Sequence, residues 1–133
     1  MASLVLDTHA VLWYLSGDPR LSRTALQIIR ESVAIGNECL VSAMSVVEAT
    51  YLVEKRRIEQ GQFQRFIEAM EDPHSNLVVA PLDFSIARFL AQVPRDQVPD
   101  LPDRVIAATA LAFGLPLVTR DGKIRASGIE TVW

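Results

Sequence analysis

The 133-residue sequence predicts an α/β fold in which four to five parallel strands form a central sheet with helices on both faces. Short, unbroken aliphatic runs recur along the chain, and each is followed by a longer segment with apolar residues at helical spacing. The aliphatic runs do not alternate with polar residues, which is typical of strands that are buried on both faces. Hydrophobic residues make up 50% of the chain, and no repeat or linker divides it, so we expect a single domain over residues 1–133.

The first part of the chain contains two predicted strands and two helices. Leu4–Leu6 is a buried strand that leads directly into a helix over about Thr8–Leu15. A second helix covers about Ser22–Ile35 and is ended by Gly36, and Cys39–Val41 forms the second strand. Both helices thus connect consecutive strands, as parallel pairing requires.

Three helices surround the third predicted strand. The first begins after Ser45. The second carries one apolar stripe, made of Phe63, Phe66, Ile67 and Met70. Leu77–Val79 is the third strand, and a helix over about Asp83–Gln92 follows it.

The last part of the chain opens with a proline-interrupted loop, Val93–Leu101. The next helix, Pro102–Phe113, is almost entirely apolar after its first turn, so we expect it to be buried. Leu117–Val118 is the fourth strand, Asp121-Gly122 is a predicted turn, and Thr131–Trp133 forms a fifth strand.

Four acidic residues occupy equivalent places in this pattern. Asp7 ends the first strand, and Glu48 lies in the first helical turn after the second strand. Asp103 lies in the first turn of the helix that feeds the fourth strand, and Asp121 lies just past that strand. These places share the carboxyl edge of a parallel sheet, where open α/β sheets bind ligands.

Carboxylates gathered in one cleft repel each other unless protons or cations compensate. A hard divalent cation such as magnesium suits oxygen ligands and also binds phosphate. Such an ion can orient a phosphodiester, activate a water molecule and stabilise the leaving oxygen. The four acids therefore favour a metal-dependent hydrolase of phosphodiester bonds.

Each acid also has a local structural explanation. Asp7 can cap the first helix, and Asp121 can belong to an ordinary turn. Glu48 with Ser45 matches a capping box, Ser45-Val46-Val47-Glu48, and this is the favoured explanation for Glu48 taken alone. Asp103 complements the dipole of its helix, and Asp100 can cap that helix. Only the convergence of all four on one edge favours a site.

Other features narrow the function further. The net charge of −3 argues mildly against a nucleic-acid binder, and the basic run Lys55–Arg57 is more typical of a solvated helix end than of an RNA contact. His9 beside Asp7 is more typical of a structural residue than of a general base.

Cys39 is the only cysteine, which excludes an internal disulfide and a cysteine-rich zinc site. We see no nucleotide-binding motif, signal peptide or membrane span, and we expect a cytoplasmic protein.

Four segments of the sequence resemble, in order, the motifs of PIN-domain proteins, especially the VapC-type toxins of toxin–antitoxin pairs. The segments are Leu6–Trp13, Ser42–Glu48, Asp100–Ala110 and Leu117–Asp121. They contribute the acids Asp7, Glu48, Asp103 and Asp121, and together they cover essentially the whole chain. One departure is that the tract before Asp100 lacks a histidine-containing loop found in some relatives.

The resemblance implies an αβα sandwich and endonucleolytic cleavage of RNA with one or two magnesium or manganese ions held by the four acids. It also implies a homodimer that a small antitoxin protein inhibits. Asp100, Thr8 and Thr119 match places where relatives often carry an acid or a hydroxyl, so we expect them to have accessory roles.

Three alternatives remain at this stage. A PIN nuclease need not be a toxin. A non-catalytic interaction module is disfavoured because no acid of the set is missing. A haloacid-dehalogenase-type phosphatase that uses Asp7 as nucleophile is disfavoured because its chemistry expects a second aspartate two residues later, where this chain has His9.

Overall fold

A computed structural model, which describes all residues 1–133, contains one five-stranded sheet with the order β3-β2-β1-β4-β5. Every pair of neighbouring strands is parallel. The strands are β1 Ala2–Leu6, β2 Glu38–Ser42, β3 Leu77–Ala80, β4 Leu117–Val118 and β5 Thr131–Val132. This confirms the predicted α/β fold with a parallel sheet.

Helices cover both faces of the sheet. Their bounds are α1 Thr8–Ser16, α2 Arg23–Ala34, α3 Ala43–Glu54, α4 Gln60–Glu71, α5 Phe84–Phe89, α6 Leu101–Phe113 and α7 Gly122–Ala126. Side chains alternate across β1, so Leu4 and Leu6 belong to the core under α1–α4, whereas Val5 belongs to the core under α6 and α7. The central strand therefore contributes to two cores, which explains its unbroken aliphatic sequence.

Strand order places the ends of three strands side by side. Leu6 is in register with Val41 on one side and with Val118 on the other. The chain runs from β1 outward to β2 and β3 and then returns to the opposite side of β1 for β4. This reversal of strand order between β1 and β4 creates the crevice in which α/β proteins bind ligands.

Three predicted element boundaries were wrong. Helix α3 begins at Ala43 and not after Ser45, because β2 continues to Ser42 and the Ser42 hydroxyl caps the helix by accepting from the Met44 N–H at 3.1 Å. Asp121 caps the short helix α7, which takes the place of the predicted Asp121-Gly122 turn. The predicted helix over Asp83–Gln92 ends at Phe89 and continues only as a 3-10 turn, Leu90–Gln92.

Two further features concern the chain as a whole. Cys39 is buried in β2 and carries a free thiol. None of the helices combines the length and the apolar character that crossing a membrane requires.

Candidate active site

The carboxyl edge of the sheet carries a cavity of about 270 Å³ that is lined mainly by charged residues. The structure brings all four predicted acids and Asp100 to its wall, together with His9, Ala10, Trp13 and Arg120. The two accessory threonines, Thr8 and Thr119, are buried beside it. The cavity is therefore built from the end of β1, from α1, α3 and the start of α6, and from the segment after β4.

Asp7 lies at the floor of the cavity, where β1 ends and α1 begins. Its Oδ1 accepts the Thr8 N–H at 2.6 Å, and its Oδ2 accepts the Thr119 hydroxyl at 2.6 Å. Burial raises the pKa of Asp7, and these two hydrogen bonds lower it in part. Asp7 is thus both a helix cap and a cavity residue, because a carboxylate has more acceptor sites than these two donors fill.

Glu48 lies in the second turn of α3. The sequence had suggested that it lies in the first turn. The predicted capping box is wrong, because Ser45 lies inside the helix, where its Oγ accepts the Thr8 hydroxyl at 2.8 Å. Glu48 Oε1 is buried without any hydrogen-bond partner. Burial raises the pKa of Glu48, the nearby Thr8 hydroxyl and His9 lower it in part, and the charges of Asp7 and Asp100 raise it further. Glu48 therefore does not take part in a capping box, which was the structural explanation that its sequence position favoured.

Asp103 enters the cavity from the first turn of α6. Asp100 caps this helix by accepting the Asp103 N–H at 3.1 Å, as the sequence had suggested. Burial, followed by the charges of Asp100, Asp7, Asp121 and Glu48, raises the pKa of Asp103 to about 7. All the other acids of the cavity therefore act on this one carboxyl group.

Asp121 completes the group from the start of α7. Its Oδ1 accepts the Ile124 N–H at 2.9 Å, and its own N–H donates to the Thr119 hydroxyl at 3.0 Å. The other carboxylate oxygen, Asp121 Oδ2, accepts no hydrogen bond from the chain. The short helix thus holds the residue while one carboxylate oxygen stays available.

The residues of the cavity fit a hard divalent cation. Magnesium prefers oxygen ligands and keeps several of its waters, so a cleft of carboxylates with a buried, unpartnered glutamate oxygen suits it. A cation would also relieve the repulsion that raises the pKa of Asp103. No three acidic, histidine or cysteine side chains converge closely enough to hold an ion by themselves. One or two carboxylates would be enough for magnesium, because waters and a substrate phosphate usually complete its coordination.

Sequence reasoning did not identify Trp13 and Arg120 as cavity residues. The Arg120 guanidinium carbon lies 4.6 Å from the Trp13 ring centroid, and the His9 ring lies 5.4 Å from the same indole. The helical spacing of His9 and Trp13 was the available signal, since residues four apart share one helix face. His9 is exposed at the cavity rim rather than packed in the core.

Comparisons with known proteins agree with this architecture. The sequence matches the PIN domain family over residues 4–128. It is 29% identical over 127 residues to Ribonuclease VapC22 of Mycobacterium tuberculosis, an alignment that covers 95% of this chain and 92% of that protein.

Solved structures share the fold. A toxin–antitoxin complex from Klebsiella pneumoniae matches with a TM-score of 0.68 and 25% identity, over 98% of this chain and 97% of that chain. VapBC2 from Rickettsia felis, bound to a promoter DNA fragment, matches with a TM-score of 0.71 and 15% identity, over 96% of both chains. Because the family match spans nearly the whole sequence and includes all four acids of the cavity, the chain belongs to the PIN-domain family.

Proposed function

We propose that this chain is a metal-dependent endoribonuclease and the toxin of a toxin–antitoxin pair, acting on RNA in the cytoplasm. The observation that carries the proposal is the unpartnered, buried Glu48 Oε1 in a cavity lined by four further carboxylates. Buried polar atoms without partners are rare, and a cation would both bind this oxygen and offset the charge of its acidic neighbours. In this proposal residues 1–133 form one nuclease domain.

Asp7, Glu48, Asp103 and Asp121 would hold one or two magnesium or manganese ions. When bound, the metal supplies an activated water and stabilises charge on the leaving oxygen. The chain itself positions the ligands: Thr119 orients Asp7, Asp100 caps the helix of Asp103, and Thr8 connects α1 to the helix of Glu48 through Ser45. At the rim, the Arg120 guanidinium suits a phosphate of the RNA.

The proposed partners are an RNA substrate, a small antitoxin protein and a second copy of the chain. The similar ribonuclease and the toxin–antitoxin complexes support these partners. An antitoxin that covers the carboxylate cavity would keep RNA away from it. Inhibition of cleavage by the product of an adjacent small gene would support the toxin assignment.

The test of the activity compares cleavage of a structured RNA in magnesium, manganese and EDTA. We expect cleavage with either metal and none in EDTA. Asp7→Asn keeps the shape of the side chain and its bond with the Thr8 N–H but removes the charge, so it should fold and lose cleavage. Cleavage in EDTA, or a folded Asp7→Asn protein that cleaves at the wild-type rate, would refute the proposal.

A further inference from the structure

A second and larger groove shares no lining residue with the carboxylate cavity. It has a volume of about 920 Å³ and runs between the turn after α1 and the connection from α3 to α4. Four arginines and only two acids line it, namely Arg20, Arg56, Arg57, Arg65, Asp18 and Glu59. We call this feature the arginine groove. It concentrates positive charge on a chain whose net charge is −3.

Three of these arginines have no ionic partner in the chain. The single salt bridge of the protein joins Arg20 to Asp18 at 2.7 Å, which leaves Arg56, Arg57 and Arg65 without an acidic partner. Three unpaired guanidinium groups that share one concave surface attract anions, because concave surfaces of one sign of charge focus the electrostatic field.

Arg56 is held in an unfavourable backbone conformation. Its φ of 57° is left-handed, and it occupies the position after the cap of α3 where glycine is usual. The N–H groups of Arg56 and Arg57 donate to the carbonyls of Val53 and Leu52, which is the hydrogen-bond pattern of a Schellman motif. Local geometry thus favours glycine here, and arginine at this position places a charge at the groove despite that preference.

A cation–aromatic stack connects the arginine groove to the carboxylate cavity. The Trp13 ring lies 4.9 Å from the guanidinium carbon of Arg20 and 4.6 Å from that of Arg120. Arg20 lines the groove, whereas Trp13 and Arg120 line the cavity. The two sites are therefore neighbours, and Trp13 with the two arginines that contact it lies between them.

We infer that the arginine groove binds the phosphate backbone of RNA beyond the cleavage point, with Arg56 and Arg65 as phosphate contacts. The inference rests on the proposed ribonuclease activity. A polymer of phosphodiesters is the ligand that needs both sites at once, because one phosphate must reach the carboxylates while its neighbours need cations. An acidic protein segment would need the groove alone.

The test compares a short RNA with a long one. The short substrate is a dinucleotide, whose single phosphodiester occupies the cavity alone, and the long one has about 16 nucleotides, the upper end of single-strand site sizes, so that it also reaches the groove. The variant Arg56→Gly/Arg65→Gln removes two contacts, and the exposed Arg88→Gln on α5 is the matched control. Fluorescence anisotropy in EDTA measures direct binding of the longer RNA and so tests the groove independently of cleavage.

We expect the double variant to lower kcat/KM and affinity for the longer RNA by about tenfold and to leave the shorter RNA unchanged. The slope of the logarithm of the affinity against the logarithm of the salt concentration should become shallower by about 0.7 for each lost phosphate contact. Arg56→Gly alone should melt no lower than the wild type, since glycine suits the left-handed position. Arg88→Gln should change none of these quantities.

Several outcomes would overturn the inference. Equal losses on both RNAs would mean that the arginines support the cavity itself, and unchanged binding of the longer RNA would mean that the groove does not contact RNA. A poly-glutamate peptide that binds the wild type but not the double variant, with RNA binding unaffected, would assign the groove to an acidic protein. If the wild type cleaves neither RNA, the proposed function fails, and the anisotropy measurement still decides the groove.

Discussion

A hydrogen bond of 2.6 Å joins the Thr119 hydroxyl to Oδ2 of Asp7, although 112 residues separate them in the chain. The same hydroxyl oxygen accepts the Asp121 N–H at 3.0 Å. Because a hydroxyl has one proton, its donation to Asp7 and its acceptance from Asp121 assign the direction of both bonds. One buried side chain thereby orders the ends of β1 and β4 at the carboxylate cavity.

Thr119→Val should lower metal affinity and kcat/KM by about 10- to 100-fold, the usual effect of losing a group that orients a metal ligand. Valine keeps the shape of threonine but leaves Asp7 Oδ2 and the Asp121 N–H without their partner, at a cost of about 1–3 kcal/mol in unfolding free energy. Titration with manganese and RNA cleavage measure the effect. Thr119→Ser restores the hydroxyl and should recover most of the activity. A fully active Thr119→Val protein would show that Asp7 needs no such support.

Glu48→Gln should separate a metal ligand from a merely structural residue. Glutamine keeps the length of the side chain and removes its charge, so melting in EDTA should stay within about 1 kcal/mol of the wild type. Cleavage and stabilisation by manganese should both fall strongly. Glu54→Gln, at the exposed end of the same helix, is the control and should behave as wild type. Normal cleavage by Glu48→Gln would leave Asp7, Asp103 and Asp121 to hold the metal alone.

The metal-free protein should lose stability as pH rises from about 4 to about 7. The pKa of Asp103 is raised from 3.8 to about 7 by burial and by its acidic neighbours, so in this window the folded chain holds a proton that the unfolded chain has released. The free energy of unfolding therefore falls with rising pH. Urea unfolding in EDTA at several pH values measures the slope. Asp103→Asn should reduce it to the part that Asp7 and Glu48 contribute, since burial raises the pKa of both. An identical slope in that variant would show that other groups cause it.

Divalent metal should stabilise the folded chain. Binding to the folded state alone adds about 2.7 kcal/mol when the free metal is a hundredfold above its Kd. The gain should be larger at pH values above the Asp103 pKa of about 7, because protons then no longer compete with the ion. Thermal melts of the wild type and Asp103→Asn in magnesium and in manganese measure this gain. An unchanged melting temperature of the wild type at saturating metal would count against a metal site.

Much of the fold followed from local patterns, and the errors lay where two local patterns competed. Ser42 and Ser45 are both good helix caps, and the glutamate three residues after Ser45 favoured the wrong one. Which serine caps the helix depended on where β2 ends, and pairing with β3 extends β2 as far as Ser42. Ser45 was then free to accept the Thr8 hydroxyl from α1.

The sequence by itself determined the order of strands and helices and the edge of the sheet on which the acids lie. Unbroken aliphatic runs and helical spacing are properties of neighbouring residues, and parallel topology then brings all strand ends to one edge. Only the tertiary structure decided that β4 lies beside β1, that Thr119 contacts Asp7, and that Arg120 contacts the Trp13 ring. These contacts join residues that are distant in the chain, and they depend on strand order and on packing, which local patterns do not encode.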